Sequence, residues 1–101
     1  MIQAEISIYP LATKTTSVSF YIAKAIESIK NIENLRYEIN SMGTILESQY
    51  IDTINKASKS MIEAIHHLGI NRVEVIIKID SRIDKHQKME EKIDSIKKQM
   101  D

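Results

Sequence analysis

Few side chains in this sequence are placed to do chemistry. His66, His67 and His86 are the titratable groups closest to neutral pH. His66 and His67 are adjacent, and neighbouring helical positions diverge by about 100°, so they do not converge on one ion as an i, i+4 pair does. They read as a solvated helix end, where imidazolium also suits the helix dipole. His86 sits in a charged connection and reads as surface, so no metal site is expected. A serine hydrolase needs a nucleophile, a base and an orienting acid, usually on a strained elbow. The sequence has no G-x-S-x-G, and nothing singles out one Ser–His–Asp set. Phosphate-cradling loops need several glycines, whereas Gly43 and Gly69 are isolated. No catalytic residue is expected. What remains is a loop dense in hydroxyls, with Thr13, Thr15, Thr16, Ser17 and Ser19 ahead of a helix. Hydroxyls and free backbone N–H groups there suit a polar or anionic group, and helix capping alone also accounts for them.

Composition narrows the classes further. The 101 residues carry 14 Lys+Arg against 14 Asp+Glu, a balance unlike that of a basic nucleic-acid binder. The charges from Arg82 to Asp101 alternate in sign with no interleaved aromatics, which is the pattern of a solvated helix face. Without cysteine there is no disulfide framework, zinc ribbon, iron–sulfur cluster or thiolate nucleophile. Glu5 interrupts the first apolar run and no basic lead precedes it, so no signal peptide is expected. No apolar stretch approaches the ~18–20 residues that span a bilayer. The expectation is one soluble, cytoplasmic domain over residues 1–101, with no membrane or nucleic-acid partner.

Periodicity supplies the elements that must position these residues. Ile2, Ala4, Ile6 and Ile8 alternate with Gln3, Glu5, Ser7 and Tyr9, a half-buried strand that Pro10 closes. Ser17 stands where an N-cap belongs, and Val18, Ile22, Ala25, Ile26, Ile29 and Ile32 recur at helical spacing. Leu35, Tyr37 and Ile39 form a second strand. Ser41-Met42-Gly43-Thr44 interrupts it before Ile45 and Leu46 resume, which reads as a hairpin. A second helix runs from about Tyr50 to Leu68 and ends at Gly69. The last strand turns Val73, Val75, Ile77 and Ile79 inward and Glu74, Ile76, Lys78 and Asp80 outward. Met89, Ile93, Ile96 and Met100 then make a narrow seam on a short charged helix.

This order, βαββαβ plus a C-terminal helix, predicts an α+β, ferredoxin-like fold: a four-stranded antiparallel sheet with two helices on one face. The other face is then left open, carrying Glu5, Ser7, Tyr9, Arg36, Glu38, Asn40, Glu74, Ile76, Lys78 and Asp80. The last helix has no evident partner within the fold. Oligomerisation is the simplest way to cover both, and docking of that helix on its own sheet is the alternative.

Several segments together resemble one family, the small ferredoxin-like thiamine-binding proteins. They are Tyr9-Pro10-Leu11, Thr16-Ser17-Val18-Ser19 with Tyr21-Ile22-Ala23, Tyr37-Glu38-Ile39 with Ser41-Met42-Gly43-Thr44, Lys78-Ile79-Asp80-Ser81-Arg82-Ile83-Asp84-Lys85, and Met89-Glu90-Glu91-Lys92. Ala12 and Lys14 stand where the family loop commonly has glycine, and His86 where proline is frequent. The resemblance implies a non-enzymatic binder of thiamine or its hydroxymethylpyrimidine portion, a homodimer or homotetramer with no further cofactor. Under that reading, hydroxyls of Ser17, Ser19 and Thr44 and the Asn40 amide pair with the pyrimidine edge. A carboxylate of Glu38, Glu47 or Asp80 accepts from the amino group or faces the thiazolium. Tyr9, Phe20, Tyr37 or Met42 supplies a flat or soft wall beside the Gly43 turn. For Ser17 capping is an equal alternative, for Asp80 an ion pair with Arg82, and for Met42 the core or a subunit contact. Two rivals remain: an interaction module presenting a protein-binding surface, and a small enzyme of the acylphosphatase kind.

Overall fold

The computed structural model describes residues 1–100. Strands β1 (Ile2–Pro10), β2 (Arg36–Asn40), β3 (Gly43–Ser48) and β4 (Val73–Ser81) and helices α1 (Ser19–Glu27), α2 (Ile51–His66) and α3 (Met89–Gln99) follow in the order β1-α1-β2-β3-α2-β4-α3. The strands form one antiparallel sheet in the order β2-β3-β1-β4. This is the ferredoxin-like α+β arrangement that the alternation and helical periods predict.

The pleat sorts side chains between the two faces. Ile2, Ala4, Ile6 and Ile8 of β1 and Leu46 of β3 turn toward α1 and α2, where they meet Ala25, Ile26, Ile54, Ala57, Met61 and Ile65. Register partners put Tyr37 and Ile39 on that same face, beside Leu46 and Thr44. The opposite face is tiled in rows across the sheet: Arg36, Glu47, Gln3 and Asp80 in one, and Glu38, Ile45, Glu5 and Lys78 in the next.

Several boundaries differ from the sequence reading, each for a local reason. The N-cap of α1 is Val18, without a side-chain capping bond. Ser17 Oγ instead lies 3.3 Å from Ser19 Oγ, while Thr13 and Thr15 hydroxyls donate to the carbonyls of Thr15 and Ser17. The loop thus satisfies itself, and Ser17 is not the cap. Helix α1 stops at Glu27, where the Ser28 hydroxyl donates to the Ala25 carbonyl at 2.6 Å. Tight i→i+3 turns then keep Ile29 and Ile32 on the core side. Pro10 is paired with Val73 rather than lying outside the strand. It is tolerated because β3 pairs with β1 only as far as Ile6. The hairpin break is shorter than expected, since β3 already begins at Gly43. Ala12 adopts φ +63°, a left-handed backbone that explains why glycine suits this loop.

The docking of α3 is the main addition. Its first turn lies on its own sheet, with Met89 only 7% exposed, but exposure rises to 49% at Ile93, 63% at Ile96 and 75% at Met100. Docking on its own sheet thus accounts for the start of the helix, and the seam beyond it is unpartnered among the described residues.

Candidate functional site

The sheet is uneven at one end, and that creates a cavity. Strand β4 pairs with β1 from Ile2 to Pro10, whereas β3 stops at the Ile6↔Thr44 pair. The backbone of Ser7 to Tyr9 therefore has no strand partner on its β3 side among the described residues. The gap is a cavity of about 260 Å³ between the β2–β3 turn and the start of α1. Ile6, Ile8, Val18, Ile22 and Met61 form its apolar wall, and Ile39 to Thr44 close it from the hairpin. No charged side chain lines it.

Thr44 is its most informative member. The residue is 2% exposed, and its hydroxyl bonds to no other described side chain or backbone group. Every fully sealed side-chain nitrogen or oxygen among the described residues has a partner, so the Thr44 oxygen is open to the cavity. A buried hydroxyl is normally satisfied, and one left free in an apolar wall marks a place for a polar group.

The hairpin turn is held by Asn40, whose Oδ1 accepts from Met42 N and Gly43 N, both at 2.8 Å. Its Nδ2 donates to Glu5 Oε2 at 3.3 Å, so the Asn40 amide shapes the rim instead of offering a free edge. Ser7 Oγ donates to the Met42 carbonyl at 3.1 Å, and Met42 itself is 77% exposed at the mouth. Gly43 is required by close packing: a Cβ there would stand 2.8 Å from the Ile6 carbonyl oxygen.

Of the residues expected in the site, the cavity gathers Asn40, Met42, Gly43 and Thr44, with Tyr9 as a wall. Ser17 stays in the exposed loop, Ser19 is exposed at the first position of α1, and Tyr37 lies one pleat away beside Leu46. Glu47 and Asp80 belong elsewhere. Glu47 is 3% exposed on the opposite face, accepting from Gln3 Nε2 at 3.3 Å, Arg36 Nη1 at 2.9 Å and the Met89 backbone N–H at 2.7 Å. It caps the N-terminus of α3 from a neighbouring strand. Asp80 pairs with Lys92 of α3, while Arg82 bonds Asp84 at 2.7 Å. The expected Asp80–Arg82 pair is therefore replaced, because α3 brings Lys92 down onto β4. Ile6, Ile8, Val18, Ile22 and Met61 were legible only as core, since nothing in their spacing shows that β3 ends before β1.

The carboxylates along α3 respond to these contacts. The hydrogen bond from Arg36 holds the Glu90 carboxyl below its ordinary range, and that from Lys92 does the same for Asp80. Both are lowered in the folded state, so their contribution is complete above the ordinary carboxylate pKa and is lost as pH falls through the lowered values. Amide exchange followed from about pH 6 to 3 should show Met89–Lys92 losing protection before the core of α2. Protection in α3 that tracks α2 throughout would show that these ion pairs do not hold the helix.

Among the described residues no helix is long and apolar enough to cross a membrane, and no cluster of His, Asp or Glu could hold a metal ion. The chain is 41% identical over 100 residues to the UPF0045 protein of Methanothermobacter thermautotrophicus, covering 99% of this chain and 100% of that one. The solved structure of protein MJ1052 from Methanocaldococcus jannaschii is 40% identical, superposes with a TM-score of 0.81 and covers 95% of each chain. A Thermotoga maritima structure, described as a proposed thiamine biosynthesis/salvage protein, shares the fold with a TM-score of 0.75 at 20% identity, covering 94% of this chain and 97% of that one. Residues 4–97 match the family model described as thiamine-binding protein, and the chain belongs to that family.

Proposed function

We propose that this protein binds thiamine, or its hydroxymethylpyrimidine portion, in the cavity beside Thr44, as a cytoplasmic homo-oligomer and without chemistry on the ligand. The observation that carries this reading is the buried, unpaired Thr44 hydroxyl in an otherwise apolar wall. An aminopyrimidine is a flat ring with donors and acceptors along one edge. The unpaired β1 backbone at Ser7–Tyr9 and the Thr44 hydroxyl offer groups to match that edge, while Ile6, Ile8, Val18 and Met61 provide surface for the ring faces. A wall without charge suits the neutral ring and leaves the thiazolium or a diphosphate at the mouth, beside Tyr9 and Met42. Tyr9 is the one titratable side chain in the lining, so no acid/base pair is at hand for catalysis. The α3 seam, exposed from Ile93 onward, supports assembly with further copies. That seam also supports the second reading, an interaction module that presents α3 to another protein.

Isothermal titration calorimetry with thiamine, thiamine diphosphate and hydroxymethylpyrimidine, on protein of known oligomeric state, tests the proposal. Thiamine and the free pyrimidine should both saturate the site. Thr44→Val, close in shape but without the hydroxyl, should weaken both by about tenfold, the equivalent of one net hydrogen bond of roughly 1–1.5 kcal/mol. No heat with any of the three ligands would sink the binding reading and leave the interaction module in its place.

A further inference from the structure

We propose that the sheet face beneath α3 holds a second ligand site, for a small organic cation that carries N–H donors on an apolar body. It lies across the sheet from the cavity beside Thr44 and shares no lining residue with it, so it stands independently of thiamine binding. A cavity of about 330 Å³ separates the underside of α3 from the sheet, with Ile45 as its floor and Met89 and Ile93 as its apolar roof. Gln3 is the residue that calls for a ligand. Its side chain is 8% exposed, and its Nε2 donates to Glu47 Oε2 at 3.3 Å and to the Gln87 carbonyl at 2.6 Å. Both partners only accept, which fixes the amide orientation and leaves Oε1 as the unpaired end. Every fully sealed side-chain oxygen among the described residues has a partner, so the Gln3 Oε1 atom opens into this cavity. A buried carbonyl oxygen without a donor marks a place for one.

The charges around Gln3 choose the kind of donor. Glu38, Ile45, Glu5 and Lys78 form one row across the sheet, so two carboxylates flank Ile45. Neighbouring strands lie about 4.8 Å apart, which lets a cation seated over Ile45 reach both. Glu38 has no ion-pair partner among the described residues, and Glu5 accepts only from the neutral Asn40 amide. Lys92 is taken by Asp80, and the Lys78 ammonium sits on a long stem that can swing out to water. The lining thus sets two uncommitted carboxylates against one lysine. An amidinium or a primary ammonium is a donor that is also positive. It satisfies Gln3 Oε1 and the carboxylates together, while its apolar body packs on Ile45, Met89 and Ile93. A bare metal ion is not the occupant, since no three acidic or histidine side chains among the described residues converge to hold one.

The methionines read the site directly. Met89 lines this cavity, Met42 and Met61 line the one beside Thr44, and Met100 lies outside both. In NMR spectra of the full chain labelled at its methionine methyl groups, benzamidine should shift Met89 saturably. The expected dissociation constant is on the order of 1 mM, the scale of a small fragment. Met42, Met61 and Met100 should stay in place. Benzoate, with the opposite charge, and phenyltrimethylammonium, without N–H donors, should shift Met89 far less. Gln3→Lys keeps a donor for Glu47 and Gln87 but removes the acceptor oxygen, and should weaken benzamidine by more than about tenfold. Glu38→Gln, at an exposed position with no partner, leaves the packing alone and should weaken it about threefold. No Met89 shift at about 10 mM benzamidine, or an equal shift with either control compound, overturns the site. A Met89 response that both variants leave intact overturns it too, as does a benzamidine shift at Met61 in place of Met89. Thiamine binding beside Thr44 has its own reporter in Met61, so either reading can fail without the other.

Discussion

Glu47→Ala should cost about 2–3 kcal/mol of stability and release α3 from the sheet. Three donors converge on this buried carboxylate: the Gln3 amide, the Arg36 guanidinium and the Met89 backbone N–H. Removing an acceptor from buried donors costs about 1–3 kcal/mol, and losing a helix cap typically costs about 1 kcal/mol. The effects overlap, because Gln3 keeps the Gln87 carbonyl at 2.6 Å and Arg36 keeps Glu90. Urea denaturation gives the stability change, and amide exchange at Met89–Lys92 shows where it falls. Unchanged exchange in α3 would mean that Met89 packing alone seats the helix. Glu47→Gln should cost less, since it retains an oxygen for one donor but turns an N–H toward another.

Gly43→Ala should be the most damaging change at the cavity. The added Cβ meets the Ile6 carbonyl oxygen at 2.8 Å and Ser7 Oγ at 3.0 Å, and the first of these is backbone. The start of β3 must move away from β1, with a cost of about 1–3 kcal/mol for forced overpacking. The same displacement shifts Thr44 by one residue's leverage and strains the Ser7–Met42 bond, so ligand affinity should fall by more than tenfold. Gly69→Ala is the control. Gly69 has φ +91° with open space around it, so alanine there should cost about 1 kcal/mol through backbone strain and leave binding intact. Equal effects of the two variants on binding would show that the fit at Gly43 does not shape the cavity.

The fold was legible because its patterns are local. Alternation in Ile2–Ile8, the helical stripe of Ile54, Ala57, Met61 and Ile65, and Gly69 just beyond it each report burial on one face. The site was legible only where a turn announces itself, at Asn40–Thr44. The rest depends on where strands stop relative to one another. Glu47 was a candidate ligand residue because a carboxylate can accept from an aminopyrimidine or face a thiazolium. Only the tertiary placement of α3, some forty residues further along the chain, shows what it holds. For Asp80 the neighbour in sequence, Arg82, competed with Lys92, and the helix rotation that settles between them is set by Met89 packing and the Glu47 cap. Ser17 had the right chemistry for a cap, but its hydroxyl was taken up by Ser19 two residues on.

The strand order has a consequence for how the chain reaches this state. The first strand made is an inner strand, and its longer partner is the last strand made: Ile2 pairs with Ser81, and the Met1 ammonium donates to the Arg82 carbonyl at 3.1 Å across 81 positions. A nascent chain lacking β4 has β1 as an open edge, with Ile6 flanked on one side only and Ile8 on neither. Closing that loop is a late, entropically costly event. Folding of this domain is therefore gated by synthesis of β4, and a ribosome that stalls before Val73 holds an aggregation-prone sheet rather than a smaller version of the domain.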